Sequence, residues 1–159
     1  MKKTVTVDLE QLYPVIKEQL ASGGSFKFSP KGISMLPLIR QNVDSVCISP
    51  FDRRLQKYDV ILYRRDNGQF VLHRIVKVTK TGYVLCGDNQ TVREYGIKDE
   101  NIIGIMTEII KPNKTVKITD TDYIKYSKKR VLHQHLKGKV LKVRSVLGRI
   151  KRRLIAKGN

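Results

Sequence analysis

The sequence predicts a mainly β domain, and three observations carry that prediction. Between residues 25 and 119, short runs rich in Val, Ile, Tyr and Phe are separated by Gly, Asn and Asp turn signals. Asp66-Asn67-Gly68 lies between Val60-Ile61-Leu62-Tyr63 and Phe70-Val71-Leu72, the spacing of a β-hairpin. Helical periodicity is confined to the two ends of the chain.

Strands are predicted at 25–29, 44–49, 58–64, 69–78, 83–87, 102–110 and 115–119. An Asn-Gly pair suits a two-residue type I′ turn, which would set His73 opposite Leu62. Thr79-Lys80-Thr81-Gly82 suits a type I turn and would set His73 opposite Asp88. A bulge at Gly82 would instead bring Asn89 opposite His73 and turn Asp88 to the other face. Residues 8–22 read as a short amphipathic helix with Leu9, Leu12, Ile16 and Leu20 on one face, closed by Gly23-Gly24. Pro14 fits that helix without cost only in its first turn. The tail, 127–155, reads as a second helix in which Leu132, Leu136, Val140, Val143, Leu147, Ile150 and Leu154 step by three and four. The chain thus divides into a helical segment (1–24), a β domain (25–120) and a basic amphipathic tail (121–159).

The net charge of +18 is a property of that tail. Residues 123–159 hold 13 Lys and Arg and no acid, whereas 1–122 hold 19 basic residues against 14 acids. Cys47 and Cys86 each lie in an apolar run and read as buried free thiols. Asp8 and Glu10 interrupt any signal-peptide core after Met1-Lys2-Lys3, and no apolar run approaches the roughly 20 residues of a spanning helix. The expectation is a soluble or membrane-peripheral protein of the cytoplasm.

Three segments hold residues able to do chemistry together. Lys31-Gly32-Ile33-Ser34-Met35-Leu36-Pro37 offers a hydroxyl in a tight loop, Val71-Leu72-His73-Arg74 a histidine inside a strand, and Cys86-Gly87-Asp88-Asn89 an acid where the next strand ends. A serine hydroxyl is a poor nucleophile until a positioned base takes its proton. A neutral imidazole can do so, and a carboxylate on its other nitrogen fixes the tautomer. Backbone N–H groups in the Gly32–Ser34 turn, that of Ser34 above all, would stabilise the oxyanion. His133 and His135 point to different faces of a helix, so no metal site is expected, and nothing calls for a cofactor.

Taken in order, Ser-Met-x-Pro, the strand Asp59-Val60-Ile61-Leu62-Tyr63, His73-Arg74-Ile75-Val76, Gly87-Asp88-Asn89 and the late Ile102-Ile103-Gly104-Ile105 resemble the signal-peptidase and LexA superfamily. The resemblance covers roughly 25–110 and is strongest to the Ser-His-Asp branch of endospore-forming bacteria, archaea and the endoplasmic reticulum. It implies a serine endopeptidase with Ser34 as nucleophile, His73 as base and Asp88 as the leading acid. Glu94 is the nearest candidate for the second acid of that branch. The implied substrate is a protein or peptide precursor, held as an extended strand with small residues before the cut. The chain departs from the family in Leu36, in Gly32 where a serine could assist the oxyanion hole, and in lacking a membrane anchor. A LexA-like regulator and a non-catalytic binding module are the rival functions. For the tail, the readings are a helix lying on an anionic membrane, nucleic-acid binding, and packing on the chain's own β domain.

Overall fold

The computed structural model describes residues 9–136. Helix α1 (Leu9–Ala21) precedes eight strands: β1 (Phe26–Phe28), β2 (Ser45–Ser49), β3 (Val60–Arg64), β4 (Phe70–Thr79), β5 (Gly82–Cys86), β6 (Glu94–Ile97), β7 (Ile102–Lys111) and β8 (Lys114–Lys117). A second helix, α2, covers 121–136. The strands form one antiparallel sheet in the order β1-β2-β7-β3-β4-β5-β6, with β8 paired to β7. The fold is therefore mainly β with a helix at each end. Among the described residues no helix is long and apolar enough to cross a membrane.

Alternation along the strands sets two larger clusters on opposite faces, and a third, smaller one joins Val76, Val84 and Cys86 to Val131 of α2. Val60, Leu62, Leu72, Met106 and Ile109 pack with Ile16 and Leu20 of α1, with Met35, Leu38 and Ile39 of the serine loop, and with Tyr123 of α2. Ile61, Tyr63, Ile75, Leu85 and Ile105 form the second cluster on the opposite face. Both helices thus bury residues against the sheet. Pro14 lies in the interior of α1, not in its first turn, and the helix runs through it. Gly23, at φ +80°, ends α1, and the N–H groups of Gly23 and Gly24 donate to Leu20 and Gln19.

The first hairpin differs from its expected turn. Gly68 has φ +89°, but Asn67 is not in the left-handed region that type I′ requires. The Gly68 N–H donates to the Arg65 carbonyl (2.9 Å), and Arg65 N–H donates to Gln69 (2.9 Å), giving a three-residue loop. One extra loop residue slides the register by one, so His73 faces Ile61 and not Leu62. In the second hairpin Thr79 pairs with Gly82 as expected, but a bulge between Ile75 and Lys77 sets Arg74 opposite Cys86. The bulge lies in β4, where Val76 is the extra residue, and not at Gly82. Strand β6 was absent from the expected elements. It pairs Leu85 with Glu94.

The segment following the serine is tied down by charge. Asp44, fully buried, accepts from the Arg40 guanidinium (2.9 Å) and backbone N–H (2.8 Å) and from Lys111 Nζ (3.2 Å), while Lys111 also donates to the Leu38 carbonyl (2.7 Å). Burial alone would raise the Asp44 pKa, but the Arg40 and Lys111 contacts outweigh it and hold the carboxyl at about 2. A carboxyl depressed on folding contributes stability that is complete above its unfolded pKa and lost as pH falls through the folded one. Thermal melting should therefore show part of the acid destabilisation between about pH 4 and pH 2, and Asp44→Asn should remove that part. An unchanged pH dependence in the variant would show that this pair does not contribute it.

Candidate functional site

The one-residue slip of the first hairpin decides which side chains meet. Opposed residues of an antiparallel pair share a face. Ile61 opposite His73, Ile75 opposite Leu85 and Leu85 opposite Glu94 therefore put His73 and Glu94 on one side of the sheet. Tyr63 and Arg65, at alternate positions after Ile61, join them there. His73 is 2% exposed. Its Nδ1 lies 3.1 Å from Glu94 Oε1 and 3.2 Å from the Tyr63 hydroxyl. Arg65 holds Glu94 through two bonds, Nε to Oε2 at 2.8 Å and Nη2 to Oε1 at 2.5 Å. Tyr63 also hydrogen-bonds Glu94.

The Glu94 contact selects between the imidazole tautomers: a carboxylate only accepts, so it favours the form with its hydrogen on Nδ1. In that tautomer Nε2 is the unprotonated nitrogen. Burial pushes the Glu94 carboxyl up, but the Arg65 and Tyr63 hydrogen bonds more than offset it, leaving its pKa below the usual value. Burial lowers the His73 pKa, Glu94 opposes that shift and Arg65 adds to it, so the net direction is downward. His73 is thus a neutral, oriented imidazole at neutral pH.

The Nε2 side faces the serine loop across a glycine. A Cβ on Gly87 would lie 3.0 Å from His73 Nε2 and 2.7 Å from the Ser34 carbonyl. Real Cβ atoms essentially never come so close to backbone, so only glycine lets the two segments approach from either side. The Asn89 N–H donates to the Ser34 carbonyl at 2.7 Å and pins the loop there. Ser34 is half-buried, while Met35 behind it is in the core. The Gly32 N–H is taken by Gln41 Oε1 (2.7 Å), so that amide is not offered to an oxyanion. The expected donor set narrows to the Ser34 end of the turn.

Asp88 lies elsewhere. The β4 bulge turns it to the face of Arg74, where the two form a bidentate pair at 2.8 Å for each bond, both side chains fully buried. The Arg74 guanidinium also donates to the Tyr58 carbonyl and Ser127 Oγ and lies near the rings of Tyr123 and Tyr126. Tyr126 donates to Asp88, Arg130 Nε donates to the Asp88 carbonyl (2.5 Å), and Gln134 Nε2 donates to the Gly87 carbonyl (2.6 Å). Asp88 therefore fastens α2 and the Gly87 turn to the sheet, and Glu94 is the acid on His73. Tyr63, Arg65 and Gly87 as a spacer were not picked out from sequence. With His73 assigned opposite Ile61, two-residue alternation alone would have found Tyr63 and Arg65.

Cys86 is buried, and burial pushes its thiol up to about 11, the direction opposite to an activated nucleophile. Among the described residues no group of three or more His, Cys, Asp and Glu could hold a metal ion. No protein-family model matches the chain, and no curated protein matches its sequence.

Proposed function

We propose that the chain is a serine endopeptidase of the signal-peptidase-like kind, acting on an extended segment of a protein or peptide precursor. The observation that carries this reading is the buried His73, with Nδ1 beside Glu94 and Nε2 bordering the same space at Gly87 as the Ser34 carbonyl. In this reading His73 Nε2 takes the proton from Ser34 Oγ as that oxygen bonds to the substrate carbonyl carbon. The tetrahedral oxyanion is met by the Ser34 N–H, and the imidazolium is stabilised by Glu94. Collapse breaks the peptide C–N bond, with the His73 proton passing to the leaving amine. Water activated by the same imidazole then releases the acyl group. Arg65 and Tyr63 are positioning residues that keep Glu94 ionised and aimed. Exposed Ile33 beside Ser34, and exposed Val92 two residues before Glu94, supply apolar surface for the precursor.

A fluorophosphonate probe tests the reading without knowledge of the substrate, because it labels only an activated serine. Label should map to Ser34. Its rate should rise with pH as His73 loses its proton and level off, with a midpoint below the ordinary histidine value of about 6.5. Absence of label, or a rate still climbing above about pH 9, would reject His73 as the base.

A further inference from the structure

Helix α2 has two unlike faces. Tyr123, Ser127, Val131 and Gln134 are buried against the sheet. At 100° per residue the opposite side is centred on Lys125, Leu132 and Leu136, flanked by Lys128 and Lys129. Leu132 is 59% exposed and Leu136 53% exposed. These two leucines open the stripe that the sequence continues, at the same spacing, with Val140, Val143, Leu147, Ile150 and Leu154. The stripe therefore starts on the side of α2 turned away from the domain, and a different set of residues does the packing.

We infer that this outward face is a docking surface for an anionic lipid bilayer, with the leucines entering the acyl boundary and the lysines at the phosphates. Charge complementarity names the occupant. Residues 123–159 carry 13 cations and no acid, so a second copy of the same surface would be repelled. Duplex nucleic acid would satisfy the cations but gives no use to a leucine stripe running between them. An interfacial helix uses both, since its affinity adds apolar burial to headgroup attraction. The inference does not depend on the serine chemistry.

Full-length protein should co-sediment with vesicles of phosphatidylcholine containing phosphatidylglycerol, and not with phosphatidylcholine alone. Added salt should weaken that binding as the attraction is screened. The double variant Leu132→Gln, Leu136→Gln should lose about tenfold or more in affinity for anionic vesicles, with an unchanged melting temperature because both side chains face outward. A Lys125→Glu, Lys129→Glu variant should weaken binding as well. Equal vesicle binding by the leucine variant overturns the inference, as does tighter binding of duplex DNA that ignores the leucines. A lowered melting temperature in the leucine variant also overturns it, since the stripe would then be packed.

Discussion

Glu94→Gln is expected to lower the rate of serine labelling and of peptide hydrolysis by about ten-thousandfold while leaving the protein folded. An amide at that position removes the negative charge that stabilises the imidazolium and can leave the proton on the wrong imidazole nitrogen, the known consequence of such a change in a serine triad. Asp88→Ala should behave in the opposite way. It leaves the Arg74 guanidinium buried without its carboxylate, and breaking a buried pair from one side costs about 3–5 kcal/mol. The Asp88 variant should therefore melt far lower, and whatever fraction remains folded should be labelled at a rate close to the parent's. The pair of variants separates two acids that the sequence motif ranks the other way, with Asp88 leading and Glu94 second. If Asp88→Ala stayed stable but lost labelling, and Glu94→Gln kept it, the assignment of the orienting acid would be reversed.

Ser34→Ala should abolish fluorophosphonate labelling and reduce hydrolysis by roughly a hundred-thousandfold or more, the range found when a nucleophile that works as part of a unit is removed. Ser34 is half-buried in a turn, and what holds it is its carbonyl, bonded to the Asn89 N–H, so loss of the hydroxyl spares that contact. Circular dichroism and melting temperature should match the parent. Residual turnover within tenfold of the parent would mean that another group attacks.

Much of this arrangement was legible beforehand. The meander from Val60 to Cys86 followed from alternation and turn residues, and α1 from its apolar spacing. Ser34 and His73 stood out because their flanks formed an ordered set, and the structure brings their segments together around Gly87. The acid was harder. Its identity hangs on two single-residue offsets, the third loop residue at Asp66–Gly68 and the bulge at Val76, and each inverts which face a side chain occupies. Neither offset leaves a firm trace in composition, since Asn-Gly suits two loop lengths and a bulge of Val within Ile75-Val76-Lys77 looks like ordinary strand. Strand β6 was missed because it is short and Gly96, at φ +75°, interrupts its pattern. The inner face of α2 was hidden as well, because Tyr123, Ser127 and Gln134 are polar and stand outside the apolar stripe, yet they close over Arg74 and the Gly87 turn. The stripe members from Val140 to Leu154 lie outside the described residues.

Strand β7 is among the last strands in the chain but lies in the middle of the sheet, between β2 and β3. On one side of it hang β1, β2 and the serine loop; on the other, the meander bearing His73 and Glu94. A nascent chain emerging from the ribosome has no central strand with which to join these halves until residue 111 has been made. The two halves of the candidate site would therefore be joined all at once, with the insertion of one long-range strand. Until then the segments bearing Ser34 and His73 belong to separate unfinished sheets.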